Sequence, residues 1–156
     1  MTRQATDLLR TLIATPSVSR DENAAADVVE AFLRDHGVRT RRYANNIVAL
    51  PERFVPGLPV LMLNSHIDTV RPAPSYSFDP FVPFEENGRL YGLGSNDAGA
   101  SVVSLIAAFL RLRGENLPLN LLLALSAEEE VGGENGMRLL LPSLAADGIV
   151  PDMAIV

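Results

Sequence analysis

Near the start of the chain apolar residues recur every three to four positions, and further along they gather into short unbroken runs. Ala5, Leu8, Leu9, Leu12 and Ile13 share one helical face. The spacing breaks at Thr15-Pro16, because a residue before proline is pushed out of the helical region. A second stripe, Ala25, Val28, Val29, Phe32 and Leu33, ends at Gly37 and is preceded by Ser19 and Glu22 at capping-box spacing. Residues 38–43 and 47–50 read as two strands joined through Ala44-Asn45-Asn46. Residues 60–63 and 119–125, the latter broken only by Asn120, are continuously apolar, as expected of strands covered on both faces. Pro59 opens the first of these, where a missing N–H is tolerated.

Residues 98–113 are apolar almost all round and stop at Gly114, which predicts a buried helix. Residues 133–146 read as helical with an interruption at Pro142, and residues 153–156 begin one more strand. Four of the eleven prolines fall in residues 71–87, which therefore read as a surface loop. Strands alternating with helices imply an α/β fold, a mostly parallel, mixed sheet flanked by helices. With 156 residues, 47% of them hydrophobic, the chain fits one domain with a sizeable core. It shows no internal repeat or low-complexity tract.

Charge and composition narrow the chemistry. The net charge of -6 disfavours a phosphate-backbone partner, and the densest basic cluster, residues 39–42, reads as a solvated strand edge. No nucleic-acid partner is expected. The absence of cysteine excludes disulfides and thiolate metal sites, so any metal must be held by His, Asp or Glu. Residues 1–10 lack an apolar signal core, and the best apolar run, residues 102–110, is far short of the roughly 18 residues that a membrane span needs. No membrane partner is expected, and the expected location is cytoplasmic.

Three polar clusters stand out. In LNSHIDTV, residues 63–70, His66 and Asp68 follow a buried strand; at i and i+2 of an extended segment they point to one side, so Asp68 can orient the ring while its other nitrogen meets a metal. In GLGSNDAG, residues 92–99, Asp97 stands where a dinucleotide fingerprint has its third glycine, and its charge would repel a pyrophosphate. In SAEEEVGG, residues 126–133, Glu128, Glu129 and Glu130 crowd together after a buried strand, a repulsion that a cation would relieve. Taken singly, each has a plainer reading: a hydrogen-bonded histidine, a helix cap, a hydrated loop. Together they fall at the C-terminal ends of strands or the loops after them, where open α/β sheets build their sites. Ser65, His66 and Asp68 do not read as a nucleophile triad, whose members meet through the fold and not by adjacency in sequence.

HIDTV at 66–70, GLGSNDAG at 92–99 and AEEEVGG at 127–133, in this order and spacing, resemble the zinc-dependent aminoacylase, acetylornithine deacetylase and succinyl-diaminopimelate desuccinylase family. The resemblance extends to PSVS at 16–19 and the closing PDMAIV. It implies a zinc-exopeptidase-like catalytic domain holding two zinc ions, with cobalt as an alternative, that removes the acyl group from a small-molecule N-acyl amino acid. Carried over, it makes His66 a ligand of one zinc, Asp97 the bridge between both and Glu130 a ligand of the other. Asp68 orients His66, and Glu129 is the general base that takes a proton from the attacking water and delivers it to the leaving amine. The GSNDAG form is most like acetylornithine deacetylase, which implies a place in arginine biosynthesis.

The chain also departs from that family. Leu93 and Gly99 stand where the family often has Arg and Lys. A further acidic ligand in a Gly-Glu-Pro motif, a second histidine ligand and a smaller dimerisation domain, all features of the family, have no counterpart in residues 1–156; His36, the one other histidine, ends the second helical stripe. The expectation is therefore the N-terminal part of a catalytic domain, inactive by itself and weak in zinc binding, from a full-length homodimer. The alternatives are a metallo-exopeptidase acting on short peptides and a non-catalytic α/β interaction module that pairs through its sheet edge.

Overall fold

The computed structural model describes residues 2–156. Its centre is a five-stranded sheet of order β1-β2-β6-β3-β7, built from β1 (Thr40–Tyr43), β2 (Asn46–Ala49), β3 (Val60–His66), β6 (Asn120–Ser126) and β7 (Met153–Ile155). Strands β3, β6 and β7 are parallel, and β2 and β1 continue the sheet antiparallel, so the expected mixed, mostly parallel arrangement is observed. A separate hairpin pairs β4 (Phe84–Glu86) with β5 (Arg89–Tyr91).

Alternation along the strands assigns each residue a face. Leu121, Leu123 and Leu125 of β6, with Ile47, Ala49 and Leu63, pack against α1 (Thr2–Ile13), α2 (Asn23–Asp35) and α3 (Ser101–Leu112). Leu122 and Ala124, with Val48, Val60 and Met62, pack on the other face against Leu140 and Leu144 of α4 (Met137–Ala146). Every residue of β6 is buried, which explains its lack of polar alternation.

Several local expectations are corrected. Ser19 and Glu22 do not form a capping box: Glu22 is itself the residue before α2, and its buried carboxylate accepts hydrogen bonds from the Arg20 N–H and Asn45 Nδ2. Strand β3 runs on to His66 instead of stopping at Leu63, because its ladder with β6 continues to the pair His66 and Ser126 and Asn64 Nδ2 donates to the Ala124 carbonyl at 2.9 Å. Asn46 begins β2 instead of closing the turn before it. Helix α3 starts at Ser101, since Asp97 and Ala98 leave helical φ/ψ and residues 95–100 form an irregular turn; the Asp97–Ala98 peptide is cis. Helix α4 starts only at Met137 and carries Pro142 within it. The proline-rich stretch 71–87 contains β4, which pairs with β5 just beyond it through a turn, Asn87-Gly88, with positive φ at both residues. That dipeptide is the sequence signal for such a hairpin.

Candidate active site

Parallel pairing of β3 with β6 brings His66 level with Ser126, so the segments after both strands leave the sheet at the same edge. The first turns at once: the Ile67 N–H donates to the Ser126 carbonyl at 2.9 Å, and residues 67–69 are strapped to the chain before α2. That strap consists of a bridge between Val18 and Thr69, with Thr69 N–H donating to Ser17 and Ser19 N–H to Thr69. The second segment makes a single turn of 3₁₀ helix at Glu129–Val131. The third comes from the loop before α3, where Gly94 takes a φ of 71° and a Cβ would lie 2.6 Å from Thr69 Cγ2. Only glycine lets this loop press against residue 69 and carry Asp97 toward His66.

His66 Nδ1 lies 3.0 Å from the main-chain carbonyl of Asp68; because a carbonyl only accepts, Nδ1 carries the hydrogen and Nε2 is left to face the site. Nε2 is 3.1 Å from Asp97 Oδ1 and 3.8 Å from Glu129 Oε2. One donor atom each from His66, Asp97 and Glu130 falls within 4.8 Å of the others, the one such cluster of three among the described residues. The site is walled on one side and open on the other, since the His66 and Asp68 side chains are 12% and 0% exposed but those of Asp97 and Glu129 are 75% and 58%. Concavities of about 380 and 530 Å³ lie along Glu52 and Arg113, away from these residues; a small one of about 20 Å³ reaches His66 and Asp68, while Asp97 and Glu129 stand exposed.

Asp68 is placed differently from the expectation that its carboxylate takes the imidazole hydrogen bond. Its Oδ1 is 3.5 Å from Nδ1, a longer approach than the carbonyl makes. The carboxylate instead accepts from Ser19 Oγ at 2.7 Å and from the N–H groups of Glu129 and Glu130 at 3.1 and 3.2 Å. Asp68 therefore ties the histidine segment to the glutamate turn. Ser19, read from the sequence as a helix cap, belongs to this site; nothing in its spacing to Glu22 signals a partner 49 residues away. Asp97 makes no helix cap, and His36 bonds the Phe32 carbonyl at the end of α2.

Electrostatics follow from the same contacts. Burial would lower the His66 pKa, but hydrogen bonds and charge from Asp68, with the charge of Glu129, outweigh it and raise it to about 9. Burial would raise that of Asp68, and the neighbouring His66 ring, with the bonds from Ser19 and the two glutamate N–H groups, holds it below the usual range. Burial and the charge of Asp97 push Glu130 up, further aided by Glu129 and Asp68 and opposed by His66.

Residues 62–156, more than half of the chain, match the model of peptidase family M20/M25/M40. The chain belongs to this family. Among M20 relatives it is 33% identical over 158 residues to succinyl-diaminopimelate desuccinylase of Parvibaculum lavamentivorans, covering 96% of this chain and 40% of that protein. It is 37% identical over 143 residues to a protein named "Probable carboxypeptidase" in Emericella nidulans, covering 84% and 32%. The M20 metallo-carboxypeptidase structure from Sulfolobus solfataricus superposes with a TM-score of 0.74 at 20% identity, over 97% of this chain and 36% of that one, which shows a shared fold. The chain thus spans 32–40% of the length of these proteins. The family expected from the three motifs is the one found, at the level of M20 and not of acetylornithine deacetylase.

Proposed function

We propose that this chain carries the metal-binding and proton-transfer residues of an amide hydrolase that removes the acyl group from an N-acyl amino acid. The supporting observation is the convergence of His66, Asp97 and Glu130 within 4.8 Å, with Glu129 beside the same imidazole nitrogen.

The donor set fits a divalent cation. It offers one imidazole nitrogen and carboxylate oxygens, with no sulfur, which suits zinc or cobalt. Crowded carboxylates that push Glu130 toward its neutral form gain from a positive charge placed among them. His66 and Glu130 would each hold one of two ions, and Asp97 both. When bound, such ions supply Lewis acidity, acidifying water and polarising the amide carbonyl.

The chain's own residues do the rest. Glu129, on the exposed rim of the 3₁₀ turn, takes the proton from the attacking water and passes it to the departing amine, a role that needs a carboxylate free to move between two positions. Asp68 anchors that turn through two N–H bonds and the histidine segment through its own carbonyl, fixing base and ligand relative to each other.

In this reading the chain is the N-terminal part of a catalytic domain, and the whole protein is a zinc-dependent homodimer. N-acetylornithine is the proposed substrate from the GSNDAG form, with an N-succinyl amino acid as its competitor given the desuccinylase relative. The carboxypeptidase relative favours a second reading, hydrolysis of short peptides. Amine release by the whole zinc-loaded protein from N-acetylornithine, N-succinyl-diaminopimelate and dipeptides separates these. A preference for an acyl amino acid of about tenfold or more in kcat/KM is expected. A dipeptide preference establishes the second reading, and no hydrolysis of any of the three by protein holding its metal ends both.

A further inference from the structure

The mechanism above uses Glu129 and Glu130 and leaves the first glutamate of the triplet without a task. Yet Glu128 is the buried one, 5% exposed, and it sits at a φ of 55°, in the left-handed region that a non-glycine residue occupies at a cost. Its carboxylate is bound by the following loop. There Oε2 accepts the Asn135 N–H at 3.2 Å and Oε1 accepts Asn135 Nδ2 at 2.8 Å.

Two glycines make room for this. A Cβ on Gly133 would lie 1.8 Å from Glu128 Oε2, and one on Gly136 would lie 2.4 Å from the Ala127 carbonyl. The loop is fastened from the sheet side as well: fully buried Asn46 at the start of β2 donates to the Asn135 carbonyl at 2.6 Å and accepts the Ala127 N–H at 3.0 Å. Residues 127 and 135 are thereby held together, with the turn bearing Glu129 and Glu130 projecting from between them.

We propose that Glu128 is a positioning residue: through Asn135 it closes the base of the loop and so sets where Glu129 and Glu130 stand relative to His66 and Asp97. A buried carboxylate left without its donors is costly, so the loop is driven into the one closure that supplies them. Without it the loop keeps the two Asn46 bonds at its base, its own backbone bonds and the two bonds to Asp68, but its buried carboxylate loses its partners. The proposal rests on the functional reading of Glu129 and Glu130, and its test is chosen to keep the two apart.

The chemistry of the pair supplies the test. In Asn135→Asp two carboxylates face each other, whereas in Glu128→Gln the exposed Asn135 amide can turn its oxygen to the new amide nitrogen, and both contacts survive as uncharged bonds. The double variant restores both bonds, one amide oxygen accepting the backbone N–H and the amide nitrogen donating to the new carboxylate. In the metal-free chain, hydrogen exchange of the Glu129 and Glu130 amides is expected to quicken about tenfold or more in Asn135→Asp, the scale of one lost charge-assisted bond, and to stay within about threefold of the parent in Glu128→Gln and in the double variant. The amides of residues 122–125 are expected to stay unchanged. Cobalt titration, followed by absorbance, is expected to show the same order, with weaker binding in Asn135→Asp and recovery in the double.

Exchange at Glu129 and Glu130 that does not move in Asn135→Asp, that rises in parallel with residues 122–125, or that the double variant fails to restore overturns the proposal. If the parent binds no cobalt, the metal reading of the site fails, while exchange still decides the role of Glu128.

Discussion

Replacing Asp68 by asparagine removes one negative charge and turns one of its oxygens into a donor, in a side chain with no solvent exposure. Oδ1 accepts from the Glu129 N–H and faces His66 Nδ1, while Oδ2 accepts from Ser19 Oγ and the Glu130 N–H. The serine hydroxyl can rotate to accept, but a peptide N–H cannot. Whichever way the new amide turns, either Glu129 or Glu130 loses its acceptor. A hydrogen bond to a charged group contributes about 1.5–3 kcal/mol, so Asp68→Asn is expected to destabilise the metal-free chain by about 2–3 kcal/mol. At about 2–4 °C per kcal/mol for a chain of this size, the midpoint should fall by roughly 5–10 °C. Urea and thermal unfolding with a chelator present measure this.

The pH dependence adds a second check. Asp68 has a depressed pKa in the folded chain, so its contribution is fully present above the unfolded carboxylate value of about 3.9 and is lost as pH falls through the lower folded value. The gap between parent and variant should therefore shrink in acid and stay constant from about pH 5 upward over the range where His66 holds its proton. A loss below about 0.5 kcal/mol at neutral pH would refute the idea that Asp68 ties the two segments together.

Leu123→Ala, at a fully buried position between β2 and β3, is expected to cost about 3–5 kcal/mol by urea unfolding. Because the His66 pKa of about 9 keeps the ring protonated in the metal-free chain, zinc binding at about pH 7.5 should release close to one proton from it, read by calorimetry in buffers of different ionisation enthalpy. In the whole protein, Glu129→Gln should leave zinc content unchanged and lower kcat by about 10²–10⁴-fold.

Hydrophobic patterning disclosed the sheet because β6 and β3 are covered on both faces, and a strand buried on both sides shows as a continuous apolar run. The ends of these strands were less legible. Asn64 and Ser65 read as polar and strand-ending, but the pairing with β6 runs past them and Asn64 satisfies itself on a carbonyl of the neighbouring strand. His66, Asp97 and Glu130 stood in three polar clusters that residue type and position pointed to, and their ligand roles came from the resemblance to a known family. Ser19 was misread: a serine three residues before a glutamate fits a local rule, while its actual partner, Asp68, is distant in sequence. Glu128 shows the same limit. Adjacent glutamates are indistinguishable as letters, and only the left-handed turn at residue 128 decides that one is buried while the next two face the site.

The central claim is that His66 is a metal ligand. The chain has two histidines, so each serves as the other's control. Zinc affinity should be unchanged within about twofold in His36→Ala. In His66→Ala it should fall well beyond tenfold, since losing even a residue that merely orients a ligand costs about 10–100-fold. Equal zinc binding by the parent and His66→Ala would contradict the account.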